Sequence, residues 1–296
     1  MKFFYSQKFL EYREQGHPES PERLQAVVDY LKKKGESFFE EVMACPEETL
    51  LVAHSVDLLS QVKRGNFFDP DTPAIPGIYN YALLSCAAAV QAMEAALTEK
   101  LTFSLARPPG HHATSRRVGG FCYFNNMAVA ALKACEKGLR VAVLDLDGHH
   151  GNGSEEIIRG RENLVYLSLH QSPAYPGTGL YSFENCHNFP LPPGTGGKKY
   201  LQSLEKALEI VSSFGPDLVG VSFGLDTHEK DPLLDLRLTD LDYKRIGGYL
   251  AGLNKRIFVV LEGGYHPESM GAAFYCFLKG LTGEKRADKD GEKKRW

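Results

Sequence analysis

The sequence predicts an α/β fold, a central and mostly parallel β-sheet flanked by helices on both faces, and three observations lead there. Short apolar runs of strand length alternate with longer helical stretches along nearly the whole chain, as successive parallel strands and crossovers require. No internal repeat or linker interrupts that alternation, so one domain is expected over residues 1–282. At 296 residues and 43% hydrophobic, the chain is also long enough to bury one large core.

In chain order, the first apolar run, 2–5, reads as a strand. A helix follows over 20–34, with Ser20 as N-cap, Pro21 at the first helical position and Glu22 in the first turn. A helix at 78–99 leads into a strand at 102–105, and a helix at 124–137 into a strand at 140–146. A strand at 164–169 precedes a helix at 197–213, and a strand at 217–223 precedes a helix at 239–253. The last pair is a strand at 256–262 and a helix at 267–279. Residues 283–296 are dominated by Lys, Arg, Asp and Glu and read as a solvated tail outside the core.

Bulk properties narrow the function classes. A net charge of -3 gives no reason to expect direct nucleic-acid binding. The six cysteines, at 45, 86, 122, 135, 186 and 276, form no Cys-x-x-Cys pair, which suits a reducing compartment and argues against a four-cysteine zinc site. Residues 1–7 turn polar before a signal-peptide core forms, and no apolar run approaches membrane-spanning length. A soluble cytoplasmic protein with no membrane contact is expected.

The candidate chemistry sits where strands end. Two adjacent-histidine pairs, His111-His112 and His149-His150, account for four of the ten histidines. The second lies in Asp145-Leu146-Asp147-Gly148-His149-His150-Gly151-Asn152-Gly153, where carboxylates and imidazole alternate. Residues two apart in an extended segment point the same way, so Asp147 and His149 are placed to converge on one ion. Asp226, in Gly224-Leu225-Asp226 after the 217–223 strand, completes a set of one nitrogen and two oxygens with a coordination position left open. An open position marks a catalytic metal site and not a structural one. Taken alone, Asp-x-His is better read as a helix cap beside a packed histidine; its joint occurrence with three other strand-end motifs reverses that reading.

His111-His112 follows Pro108-Pro109-Gly110, a turn that presents rigidly what comes next. Beside a metal, one imidazole can move the proton of a water while the other stabilises charge; the rival reading, ligands of a second metal, needs more carboxylates than this loop supplies. Tyr265 follows two glycines after the 256–262 strand, where its phenol can donate to a developing oxyanion. The loops Gly119-Gly120-Phe121-Cys122-Tyr123 and Ser172 to Gly179 place Phe121 and Tyr175 as walls of a narrow apolar channel. Cys122 has no base assigned to it and is not read as a nucleophile.

These residues resemble the zinc-dependent histone deacetylase family, whose superfamily also holds acetylpolyamine amidohydrolases and acetoin-utilisation proteins. The likeness rests on 107–113, 120–126, 145–153, Ser-Leu-His-Gln at 168–171, Tyr-Pro-Gly-Thr-Gly at 175–179, Gly-Leu-Asp at 224–226, Asp-Pro-Leu at 231–233 and Leu-Glu-Gly-Gly-Tyr at 261–265. With His-Pro-Glu-Ser-Pro-Glu-Arg-Leu at 17–24, it covers nearly the whole chain in order. The resemblance implies an arginase/deacetylase-like fold and hydrolysis of an acetyl-amide on acetyl-lysine, an acetylated polyamine or another small amide.

Residue by residue, it makes Asp147, His149 and Asp226 the zinc ligands, His112 the general base and acid, His111 its electrostatic partner, and Tyr265 the oxyanion donor. It assigns a structural potassium ion to Asp145, Ser168 and backbone carbonyls of Asp147, His149 and Leu169. Gly120, Phe121, Tyr175 and Leu233 line the substrate channel. Asp71 or Asp69 stands near the rim carboxylate that holds the substrate backbone. Asn152, which supports His112, and the glutamate in Leu-Glu-Gly-Gly-Tyr look like the class II branch; a carboxylate at 152 would raise the basicity of His112 more than this amide does.

Leu233 stands where polyamine-selective relatives of one branch carry a glutamate gatekeeper. The run from Asp226 to Pro232 is close to the acetylpolyamine amidohydrolase pattern, but the long early insertion with which those enzymes dimerise is absent. A homo-oligomer is compatible with the sequence and not indicated by it. Two rivals remain: a two-manganese ureohydrolase of the arginase type, and a non-catalytic acyl-binding protein on the same scaffold.

Overall fold

Eight parallel strands form one sheet in the order β2-β1-β3-β8-β7-β4-β5-β6 in the computed structural model, which describes residues 1–283. The strands are β1 (Lys2–Tyr5), β2 (Phe39–Glu41), β3 (Leu101–Ser104), β4 (Val141–Asp145), β5 (Leu164–Gln171), β6 (Cys186–Leu191), β7 (Leu218–Phe223) and β8 (Arg256–Leu261). The helices are α1 (Pro21–Lys33), α2 (Val56–Arg64), α3 (Ile78–Ala96), α4 (Asn126–Glu136), α5 (Asn152–Ile158), α6 (Gly197–Phe214), α7 (Asp240–Gly252) and α8 (Pro267–Leu281).

Successive residues of β3 show how the layers are built. Thr102 donates its hydroxyl to Ala92 O of α3, 2.7 Å away, while Phe103 packs on Phe274 of α8 from the opposite face. Helices α2 to α5 pack in series on the α3 side; α1, α8, α7 and α6 form the other layer. A sheet covered on both faces buries every residue of its inner strands, and β3, β4, β5 and β7 are buried throughout. This is why those runs are mostly apolar and easily read from the sequence.

All six expected strands and all six expected helices are present, with ends shifted by a few residues. The edge strands β2 and β6 and the short helices α2 and α5 are additions. β2 carries one apolar residue before two glutamates, and β6 contains Pro190 and polar His187 and Asn188, so neither shows a buried-strand pattern. Ser20 holds the N-cap position in extended backbone, with Pro21 following as expected, but its side chain makes no capping bond; the Arg23 N–H reaches the Ser20 carbonyl instead. Past Gly283, the charged segment expected at 283–296 lies outside the described residues. Among the described residues no helix is long and apolar enough to cross a membrane.

Parallel strands end on one edge of the sheet, and that edge collects the chemistry. The loops after β3, β4, β7 and β8 carry residues 105–125, 146–151, 224–239 and 262–266 to the same place.

Candidate active site

β4 ends at Asp145, and the six residues before α5 are all buried. From this segment Asp147 and His149 meet Asp226, which follows β7; one ligand atom from each lies within 4.8 Å of the others. His149 Nδ1 is 2.7 Å from Asp226 Oδ2 and 3.3 Å from Asp147 Oδ1. Backbone amides orient both carboxylates: Gly148 N–H donates to Asp226 Oδ1 at 2.8 Å, Gly263 N–H to Asp147 Oδ2 at 2.8 Å, and His149 N–H to Asp147 Oδ1 at 2.9 Å. Glycine is required at 263, because a Cβ there would lie 2.6 Å from Asp147 Oδ2 and 2.8 Å from Asp226 Oδ2.

Two carboxylates this close and this buried repel each other. Asp226 is the one pushed up, to about 7, by burial first and then by Asp147. A divalent cation relieves both effects, and one imidazole nitrogen with two carboxylate oxygens suits it. The donor set therefore fits a metal.

The loop after β3 brings the first histidine pair alongside. The His111 and His112 rings lie tilted against each other with centroids 4.0 Å apart, yet their partners differ. His111 Nδ1 lies 3.1 Å from Asp145 Oδ2, whereas His112 Nδ1 lies 2.8 Å from Asn152 Oδ1. Burial disfavours the charged form of His111, but Asp147 and Asp145 overcome it and hold His111 at about 10. Burial, then the neighbouring His111 and His149, drive His112 well below the ordinary histidine value. Because an amide oxygen only accepts, His112 Nδ1 carries the proton and Nε2 is left as a free base. His112 and His149 ring centroids are 6.0 Å apart.

Tyr265 reaches the site after Gly264, whose φ of +118° is open to glycine. Its N–H donates to Asp231 Oδ2 at 2.7 Å, and its ring sits between the Phe121 edge and the Arg23 guanidinium. A cavity of about 310 Å³ elsewhere, near Met1 and Glu99, contains none of these residues. A cavity of about 210 Å³ does contain His112, His149 and Tyr265 at its base, with Gly120, Phe121, Tyr175, Leu233 and Asp71 around it. A Cβ at Gly120 would fall 2.4 Å from His112 Cδ2 and 2.8 Å from the Tyr175 ring, so this wall admits only glycine. Phe121 adopts a φ of +71°, its N–H donating to Thr72 Oγ1 at 3.0 Å.

Of the two rim candidates, Asp71 lines the cavity. Asp69 shapes the turn, its Oδ2 accepting the Asp71 N–H at 3.1 Å. Asp145 and Ser168 are partners in the register of β4 and β5, with Leu169 next along β5. Asp145 Oδ2 also accepts from Tyr166 Oη at 2.8 Å, and Ser168 Oγ lies 2.8 Å from His170 Nδ1. His150 stays off the ligand set, between Thr178 Oγ1 at 2.7 Å and Glu155 Oε2 at 3.0 Å.

Several functional contacts are not legible from motif reading. Asp231 holds the backbone of Tyr265 and of Leu233, and Glu262 receives the Gly110 and His111 amides. For Glu262 the available signal is an acidic residue between the apolar end of β8 and two glycines; Asp231, in the polar run 227–231, has none.

A family model described as a histone deacetylase domain matches residues 17–281. A probable deacetylase of Archaeoglobus fulgidus is 35% identical over 279 residues, 85% of this chain and 77% of its own. The acetylpolyamine amidohydrolase of Mycoplana ramosa is 37% identical over 225 residues, 72% of this chain and 66% of its own. Among solved structures, the HDA15 HD domain is 33% identical with a TM-score of 0.89, over 96% of this chain and 91% of that one. An acetylpolyamine aminohydrolase from Burkholderia pseudomallei is 27% identical with a TM-score of 0.88, over 95% and 98%.

Proposed function

The chain belongs to the histone deacetylase family, and we propose that it is a zinc-dependent deacetylase that removes an acetyl group from an acetyl-lysine-like amine, releasing acetate and the free amine. The observation that carries this reading is the convergence of the Asp147, His149 and Asp226 donors, of which His149 lines one cavity together with His112 and Tyr265.

Asp147, His149 and Asp226 would hold the zinc, which when bound polarises the amide carbonyl and acidifies water. Phe121 and Tyr175 flank the substrate chain and exclude water from it. The Tyr265 hydroxyl donates a hydrogen bond to the oxyanion that develops from the carbonyl oxygen. His112 Nε2 accepts the proton of the attacking water and delivers it to the departing amine. His111, kept cationic by Asp145 and Asp147, offsets the negative charge that accumulates. Potassium at Asp145, Ser168 and the carbonyls of Asp147, His149 and Leu169 belongs to the same proposal, supported by the buried register pairing of Asp145 with Ser168.

A small-molecule substrate is the second reading, favoured by the relatives named acetylpolyamine amidohydrolase. Leu233 supplies no acidic gatekeeper for a cation, which favours lysine. Against a ureohydrolase, the Asp-His-Asp group found among the described residues offers the ligands of one ion. The six cysteines, with no Cys-x-x-Cys pair among them, fit a reducing compartment such as the cytoplasm. The test is a panel of acetyl-lysine peptides, lysines with longer acyl chains and acetylated polyamines on the zinc-loaded protein, read as acetate or acid released. Acetyl-lysine peptides should turn over fastest; no turnover of any member by stoichiometrically loaded protein refutes the reading.

A further inference from the structure

Among the buried carboxylates to which the proposed reaction gives no task, Glu262 is the one that contacts the loop of the first histidine pair. Glu262 follows β8 at 1% exposure. Its Oε2 accepts the Gly110 N–H at 2.7 Å and the His111 N–H at 3.2 Å, and its Oε1 accepts from the Ser222 hydroxyl at 3.2 Å. Its own backbone is pinned as well: the N–H reaches Phe223 O at 2.9 Å and the carbonyl accepts from Arg23 Nη2 at 2.6 Å. The carboxylate is therefore held between two central strands and aimed at the loop that carries the catalytic histidines.

That loop has an unusual shortage of donors. Pro108 and Pro109 have no N–H, so Gly110 and His111 supply the first amides after Arg107. The loop's carbonyls find partners elsewhere: Pro108 O accepts from Ser85 and Asn126, Gly110 O from the Ala113 N–H, and His111 O from the Ser154 N–H. The two amides turn to Glu262. Buried amides without partners would be costly, and a loop free to rotate them would swing both imidazoles.

We propose that Glu262 is a positioning residue, whose carboxylate fixes the Gly110 and His111 amides and thereby sets the orientation in which His112 faces the substrate. This rests on the reading of His111 and His112 as the proton-handling pair. Hydrogen-bond capacity makes the idea testable. In Glu262→Gln the amide oxygen can keep both backbone donors while the NH2 donates to Ser222 Oγ, so all three bonds survive. In Glu262→Leu none survives, although the side chain still fills the space.

Both variants, loaded with zinc, are compared with the wild type for metal content, kcat and KM on an acetyl-lysine peptide. Glu262→Leu should bind metal and keep KM within about twofold while kcat falls roughly 30-fold or more, and Glu262→Gln should recover kcat to within about threefold. Wild-type kcat in Glu262→Leu, or Glu262→Gln as slow as Glu262→Leu, overturns the proposal. Should Glu262→Leu fail to fold, amide NMR of the wild type and Glu262→Gln decides. The Gly110 and His111 amide protons should lie downfield, exchange slowly and both shift in Glu262→Gln; unprotected amides in the wild type refute the contact. That measurement needs no turnover, so a wild type inactive on every substrate would defeat the functional reading while the Glu262 contact to the loop is still decided by the amides.

Discussion

Acidification from about pH 7.5 to about pH 5 should destabilise the fold by about 2 kcal/mol through a single residue, His54. The imidazole is 4% exposed. Its Nδ1 donates to Thr114 O at 3.0 Å, and its Nε2 accepts the Asn125 N–H at 2.8 Å. Both edges are satisfied only in the neutral form, since a proton on Nε2 would face another N–H. Burial lowers the group from 6.5 to about 4, with the Thr114 carbonyl opposing weakly. In the unfolded chain the ordinary value returns, so between these limits the unfolded state binds the extra proton. The His54 contribution is thus whole above about pH 6.5 and lost as pH falls toward about 4, with a ceiling of about 3 kcal/mol.

The consequence reaches the active site. Asn125 caps α4 through the Ala128 N–H at 2.9 Å, and its Nδ2 donates to Ala113 O and Ser154 Oγ, both at 3.1 Å. Protonating His54 therefore loosens the joint beside the first histidine pair. The assay is urea unfolding followed by far-UV circular dichroism at several pH values, for the wild type and for His54→Gln, whose amide keeps one donor and one acceptor but does not titrate. Other titrating groups cancel in the difference between the two proteins. If that difference is the same at about pH 5 as at about pH 7.5, the reasoning is refuted.

Tyr265→Phe removes one oxyanion donor and should reduce kcat about 100- to 1000-fold. The contacts of the ring with Phe121 and Arg23 and the backbone bond to Asp231 remain, so the thermal midpoint should not move; full activity in the purified variant removes Tyr265 from the mechanism. Asp226→Ala should lose the metal, as measured by elemental analysis after dialysis. Stoichiometric retention at wild-type affinity takes Asp226 out of the ligand set.

The parts legible in the sequence share a physical cause. The inner strands are buried on both faces, so their runs are mostly apolar; β2 and β6 have one open edge each and lose that signal. The proposed metal ligands and proton-handling histidines are also legible as candidates, because few residue types can do that chemistry and all sit just past strand ends. Asn152 is legible beside them; the long-range supports are not. Glu262 meets Gly110 across 152 positions and His54 meets Asn125 across 71, and no local pattern encodes such pairs. Which of Asp69 and Asp71 lines the cavity was likewise a matter of geometry: Asp71 does, while the Asp69 carboxylate accepts the Asp71 N–H.

The pair His111-His112 shows a physical basis for the division of labour that the resemblance implies. Two identical side chains, adjacent in sequence and equally buried, are driven in opposite directions. For His111 the charges of Asp147 and Asp145 outweigh burial; for His112 burial and the neighbouring His111 and His149 prevail, because its hydrogen-bond partner, Asn152 at the start of α5, is uncharged where His111 has Asp145 at the end of β4. A carboxylate at 152 would stabilise imidazolium and make His112 more basic, but it would also reduce the fraction present as free base near neutral pH. With an amide there, and with burial and the neighbouring His111 and His149 disfavouring its charged form, His112 stays unprotonated, as the proposed mechanism requires of its base. In that proposal Asn152 would be more than a weakened copy of a carboxylate: it would leave the vacant lone pair on His112 to accept the proton of the attacking water.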